Sequence, residues 1–103
     1  MSYDKLKDKT SQLSNVTARP MFGYECFSAR GKFFVGFSRK NRREVILKLP
    51  NDEQQKAIKN KGIKPFSHGA KAGWVEISTK HASDAVASTW IRKAYDHALK
   101  LKK

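Results

Sequence analysis

The spacing of apolar residues changes twice along this chain, and that change constrains the fold more than any other feature. Within residues 2–14, the positions expected to face inward recur at intervals of three and four, as on a surface helix with one buried stripe. These positions are Tyr3, Leu6, Thr10 and Leu13. Residues 19–49 alternate with a period of two and are rich in aromatic side chains, which predicts a meander of three or four antiparallel strands. A four-residue period returns after Ser83, which predicts a long last helix capped by that serine, with an inward stripe at Val86, Trp90, Ala94, Ala98 and Leu101.

The first strands are predicted to be joined by a loop and a tight turn. Residues 15–18 are predicted to form a loop, and residues 28–32 a reversal in which Gly31 takes positive φ. Strict alternation over the strand at residues 32–38 predicts that Phe33, Val35 and Phe37 share one face of the sheet, opposite Phe34 and Gly36.

A helix is predicted between the meander and the last strand. Asn51 and Gln54 fit a capping box that begins it, and Gly62 suits the left-handed position after its end near residue 60. Residues 63–66 are predicted to be an extended connector, and residues 74–78 a further strand by alternation.

These elements follow one another in the order α-β-β-β-β-α-β-α. Because contiguous strands outnumber the helices, the order predicts an α+β fold of two layers, an antiparallel sheet of about five strands with helices packed on one face. The length is that of one compact domain, so we expect residues 1–103 to form a single domain.

Composition and motifs argue against several functional classes. No apolar run is long enough to span a membrane and the N-terminus has no signal-peptide core, so we expect a cytoplasmic protein. A lone cysteine, Cys26, rules out an internal disulfide, and His68, His81 and His97 are too scattered to form a local metal motif. No catalytic triad, Walker loop or dinucleotide turn is present, so we expect no enzyme, no metal and no cofactor.

Several segments together resemble one known family, the TfoX N-terminal domain. The resemblance lies in residues 19–27 (RPMFGYECF), 30–36 (RGKFFVG), 45–50 (VILKLP), 62–66 (GIKPF) and 90–94 (WIRKA). It implies a two-layer α+β domain like those of secretion chaperones, with no catalytic residues to transfer. The family's best-known members are bacterial competence regulators that act as transcriptional coactivators through other proteins, and that carry a second, helical C-terminal domain. We therefore expect a stand-alone relative, in which residues 69–73 (GAKAG) replace the family's Gly-Arg-Pro-Met turn.

The positive charge of the chain is concentrated in two segments. The net charge is +13, and neither residues 26–43 nor residues 54–75 contain a carboxylate. Antiparallel topology should return the second helix to the end of the sheet where the first basic segment lies. We therefore predict one patch that contacts DNA or RNA phosphates without reading bases, formed by Arg39, Lys40, Arg42, Arg43, Lys59, Lys61 and Lys64.

Other interpretations of the same residues stay open. The lysines after the second helix could simply complement its dipole, and a basic hairpin tip could be no more than a soluble loop. Tyr24, Phe34 and Trp74 could fill the core, or lie on the uncovered sheet face and there stack bases or dock a partner protein or a second copy of the chain. The alternative function is a protein-interaction adaptor or homodimer that uses this aromatic sheet face or the last helix. Cys26, next to Phe27 in a strand, is predicted to be a small buried residue.

Overall fold

The computed structural model describes residues 3–21, 23–40, 44–67, 69–78 and 80–100. The elements in these ranges are α1 (Tyr3–Ser11), β1 (Val16–Met21), β2 (Tyr24–Ala29), β3 (Lys32–Ser38), β4 (Glu44–Lys48), α2 (Asn51–Ala57), β5 (Ile63–Pro65), a short 3-10 helix (Ala70–Ala72), β6 (Trp74–Ser78) and α3 (Asp84–Lys100). The strands form one antiparallel sheet in the order β1-β2-β3-β4-β6-β5. The predicted α+β class and the order of its elements are confirmed.

The two amphipathic helices bury the stripes that their periodicity predicts. On α1, Tyr3, Leu6 and Thr10 are buried, and the Tyr3 ring packs edge-on against Phe37 with centroids 5.4 Å apart. The Tyr3 hydroxyl also donates a hydrogen bond to the carbonyl of Ser38 at the end of β3. These contacts hold the start of α1 against the end of β3.

The last helix, α3, begins and packs as its sequence predicts. Ser83 caps it, because the Ser83 Oγ accepts a hydrogen bond of 3.2 Å from the amide of Val86. Its inward stripe is buried over most of its length, at Ala87, Trp90, Ile91, Ala94, Tyr95 and Ala98. The Tyr95 ring contacts Phe34 with centroids 5.5 Å apart, so α3 lies over the middle of the sheet. Leu101, predicted for the same stripe, lies outside the described residues.

The loop predicted at residues 15–18 is wrong. Val16 already belongs to β1, which pairs with β2 along its whole length and forms one edge of the sheet. Pro20 is tolerated in this strand because an edge strand has one side without a ladder partner. The predicted reversal is confirmed and tight: Arg30 and Gly31 both take positive φ, 53° and 82°, as a two-residue hairpin turn requires.

The capping box predicted for α2 is also wrong. The helix begins at Asn51, Pro50 is the N-cap residue, and no side chain caps the first turn. Gln54 is buried instead, and its Nε2 donates a hydrogen bond of 3.2 Å to the carbonyl of Trp74. The connector predicted after α2 pairs with β6 as a short edge strand, so the sheet has six strands where about five were predicted.

A β-bulge in β3 overturns the predicted alternation of its phenylalanines. Phe27 of β2 pairs with Val35 and Ser28 pairs with Phe33, so Phe34 is the extra residue on β3. Phe34 consequently points to the helix side, where it is fully buried against Tyr95. Phe33 points to the opposite face. This bulge decides which aromatic ring reaches the uncovered side of the sheet.

Candidate functional site

The predicted phosphate-binding residues lie on three short segments. Arg39 and Lys40 directly follow β3, Lys59 and Lys61 lie between α2 and β5, and all four are exposed. Lys64 lies on β5 and is also exposed. Arg42 and Arg43 lie outside the described residues.

The strand register brings these segments to the same end of the sheet. Phe37 near the end of β3 pairs with Val45, and Glu44 pairs with Ser78 at the end of β6. The amide of Ser78 in turn donates a hydrogen bond of 2.8 Å to the carbonyl of Gly62, just before β5. With β4 and β6 between them, β3 and β5 are about 14 Å apart along the sheet, or three strand spacings. The two pairs of basic residues therefore flank one rim.

Most of the described basic residues on this rim have no acidic partner. Lys64 Nζ lies 3.6 Å from Glu76 Oε2, with 72% of the lysine side chain exposed. Within the described ranges, no carboxylate forms an ion pair with Arg39, Lys40, Lys59 or Lys61. Their charges are therefore available to an external anion.

A second feature, which the sequence did not predict, is a cavity on the sheet face opposite the helices. Tyr24 of β2 and Phe66, which follows β5, pack edge-on with ring centroids 6.1 Å apart. Three strands lie between β2 and β5, so a flat sheet would hold them about 19 Å apart. The sheet therefore curls, and its uncovered face is concave.

This concave face encloses about 690 Å³ and is lined mainly by aromatic and aliphatic side chains. Four rings surround it, those of Tyr24, Phe33, Phe66 and Trp74. Gly36 is essential to the shape, because a Cβ at this position would lie 2.9 Å from Ile46 Cγ1 and 3.3 Å from Cys26 Sγ. We call this space the open-face cavity.

Two carboxylates also line the open-face cavity, Glu44 on β4 and Glu76 on β6. The Tyr24 hydroxyl donates a hydrogen bond of 3.0 Å to Glu44 Oε2. Burial, and then the hydrogen bond to Glu44 and the negative charge of that carboxylate, raise the pKa of Tyr24 above its ordinary value. The phenol is therefore held as a neutral hydrogen-bond donor to Glu44.

Cys26 is buried as predicted, on the strand beneath this cavity. Burial raises the pKa of its thiol, whereas a nucleophilic cysteine needs a lowered pKa. Tyr24 and Trp74 lie on the uncovered face, whereas Phe34 belongs to the core.

The histidines do not assemble into a metal site in the described part of the chain. His68 lies outside the described residues, and no group of three histidine, cysteine or acidic side chains converges among the rest. Burial, and then the charges of Lys48 and Lys100, lower the pKa of His97. Among the described residues, no helix is long and apolar enough to cross a membrane.

Some of the cavity could have been anticipated and some could not. Alternation in β4 and β6 puts Glu44 and Ile46 on one face, and likewise Trp74 and Glu76, which hints at a mixed acidic and aromatic face. The bulge that turns Phe33 toward it has no signal in the sequence.

Comparison with known proteins identifies a family and, among solved structures, proteins of the same fold. The TfoX N-terminal domain family matches residues 8–98. A crystal structure of a protein from Pseudomonas syringae, solved by a structural genomics consortium, superposes with a TM-score of 0.73 at 13% sequence identity, covering 95% of this chain and 99% of that one. No curated protein matches the sequence. At this identity the neighbour shows a shared fold alone.

Proposed function

We propose that this chain, which belongs to the TfoX N-terminal domain family, is a small non-enzymatic binding module that contacts the phosphates of DNA or RNA through its basic rim. The observation that supports this proposal best is the set of exposed cations without acidic partners at one end of the sheet, Arg39, Lys40, Lys59 and Lys61. We place the module in the cytoplasm, in association with nucleic acid or the transcription machinery.

The proposed mechanism is release of counterions from a polyanion. Each phosphate neutralised by a lysine or arginine releases condensed cations, so the logarithm of the binding constant falls linearly with the logarithm of the salt concentration. About five contacts would give a slope of about −4 to −5 on a duplex, or a loss of several hundredfold between 50 and 200 mM salt. Little base discrimination is expected, because the described part of the rim presents no recognition helix for insertion into a groove.

Fluorescence anisotropy with a labelled duplex and a labelled single-stranded RNA, at several salt concentrations, tests the proposal. A rim variant with Arg39, Lys40, Lys59 and Lys61 changed to alanine should bring the slope on the duplex closer to zero by about 4. A matched control removes the same charge near the opposite end of the sheet, at Arg30, Lys32, Lys71 and Lys100. The proposal fails if the two variants lose affinity equally, or if the unmodified chain does not bind at low salt.

A protein-interaction adaptor is the second candidate, and the aromatic side chains on the uncovered sheet face favour it. In that case two copies of the chain, or the chain and a different protein, would associate through Tyr24 and Trp74, and the affinity would depend little on salt. Sedimentation at 50 and 500 mM salt distinguishes the candidates. A salt-insensitive dimer without affinity for polyanions would support the adaptor.

A further inference from the structure

We propose that the open-face cavity binds a small organic cation, with an ammonium group beside Glu44 and a carbon skeleton against the surrounding rings. This site is separate from the basic rim, and the proposal does not depend on phosphate binding. It rests on the size of the cavity, its rings and the charge on its wall.

The size and lining of the cavity suit a small molecule. Ligand pockets usually enclose about 300–1,000 Å³, with apolar walls and a few polar groups that fix orientation. The open-face cavity encloses about 690 Å³, its walls are aromatic and aliphatic, and its strongest polar groups are the carboxylates of Glu44 and Glu76. The polar groups therefore select charge, and the rings supply contact area.

The negative charge of Glu44 is the feature that points to a cation. The chain has 22 lysines and arginines against nine aspartates and glutamates. A lysine or arginine lies within 4 Å of four of these carboxylates, those of Glu25, Glu53, Glu76 and Asp96. In the described part of the chain, Glu44 instead has only the neutral phenol of Tyr24 as a hydrogen-bond partner, and no cation. The second cavity carboxylate, Glu76, has its one described cation, Lys64, on an extended and mostly exposed side chain.

The strand register sets the two carboxylates side by side. Glu44 pairs with Ser78 and Ile46 pairs with Glu76, so the two glutamates are diagonal neighbours on adjacent strands of one face. Diagonal neighbours lie about 7–8 Å apart, which is close enough for one ammonium group to interact with both. The electron-rich faces of Tyr24 and Trp74 attract the same group.

A second copy of the chain fits this face poorly. A symmetric dimer across this face would bury Glu44 of both copies, and burying a carboxylate that has no described cation opposes association. The net charge of +13 does not exclude a small cation, because charges more than about 8 Å away are screened at physiological ionic strength. The described charged groups that remain close are Glu44, Glu76 and Lys64, together with Lys48, which pairs with Trp74, and Arg19, which pairs with Cys26.

The test compares two probes of the same shape, 2-phenylethylammonium and the uncharged 2-phenylethanol. Binding is followed by two-dimensional NMR of the two indole N–H groups, of which Trp74 lines the cavity and Trp90 lies on α3, packed on the other side of the sheet. We expect the Trp74 signal to shift, the Trp90 signal to stay, and the ammonium compound to bind about tenfold more tightly than the alcohol. Equal affinity for the two probes, or a shift at Trp90 alone, would overturn the proposal.

Two glutamine variants locate the charge that is responsible. Glu44→Gln keeps an acceptor for the Tyr24 hydroxyl but removes the charge, and it should abolish the preference for the ammonium probe. Glu25→Gln removes the same charge from the helix side of the sheet, where Glu25 pairs with Lys7, and it should leave the preference unchanged. If Glu44→Gln does not fold, Glu76→Gln should reduce the preference in its place. Variants that all retain the preference would refute the site.

Discussion

Replacing Gly73 with alanine should destabilise this protein more than the same change at any exposed turn. Gly73 has φ of 97° and precedes β6, which carries Trp74 into the open-face cavity. A Cβ at this position would lie 2.0 Å from the carbonyl oxygen of Leu49 and 3.1 Å from its carbonyl carbon. Both neighbours are backbone atoms, so no side-chain rotation can relieve the overlap.

Gly31 offers a matched control that separates the strain of a left-handed backbone from steric overlap with a neighbour. Its φ is 82°, and a Cβ there would meet nothing within 4 Å. Alanine at Gly31 should therefore lower the free energy of unfolding by about 1 kcal/mol, since left-handed backbone costs an alanine about 1–2 kcal/mol and the unfolded chain loses some entropy in compensation. Alanine at Gly73 carries the same strain and in addition must displace the backbone of Leu49.

That displacement has its own cost. The amide of Leu49 donates a hydrogen bond of 3.0 Å to the carbonyl of Gly73, and the Leu49 side chain is 1% exposed. Losing the bond costs about 0.5–1.5 kcal/mol, and disturbing a buried leucine adds a comparable amount. We expect Gly73→Ala to cost about 2 kcal/mol more than Gly31→Ala in urea unfolding. Equal losses for the two variants would show that Leu49 does not constrain this turn.

Three further measurements test individual contacts. Ser83→Ala should lower the free energy of unfolding by about 1 kcal/mol, because the amide of Val86 loses its cap. Folding raises the pKa of Tyr24, so the stabilisation linked to its protonated phenol is complete below the ordinary value near 10 and declines as the pH rises further. Tyr24→Phe should therefore flatten the fall in the free energy of unfolding above about pH 10. Glu44→Gln should lower the pKa of Tyr24 in an ultraviolet titration. Cys26 is buried with a raised pKa, so a thiol reagent should react slowly with the native chain and rapidly after denaturation; equal rates would contradict the burial.

The sequence predicted those parts of the fold that depend on local periodicity. The inward stripe of α1 and the long amphipathic α3 follow from side chains three and four positions apart, which share a helix face whatever surrounds them. The turn at Gly31 was also predictable, because few residues other than glycine adopt positive φ easily. The placement of the two basic segments at the same end of the sheet follows from antiparallel connectivity alone.

The parts that the sequence could not predict depend on pairing between strands. The bulge at Phe34 arises because Phe27 pairs with Val35 and Ser28 with Phe33, and no residue in β3 marks that shift. The failed cap at Asn51 has a similar origin, since Gln54 turns inward to bond the carbonyl of Trp74. In both places a tertiary contact overrides a local pattern.

The open-face cavity shows why the net charge of the whole chain does not describe the charge at a single site. Net charge governs encounter with a distant polyanion, and on that scale this chain is strongly basic. Inside the cavity, the sign is set by the few groups that register brings together, and pairing of β4 with β6 puts Glu44 beside Glu76 there. One surface can therefore attract phosphate while another, on the same sheet, attracts an ammonium group. Because screening acts over about 8 Å at physiological ionic strength, raising the salt concentration should weaken phosphate binding at the basic rim far more than ammonium binding in the open-face cavity.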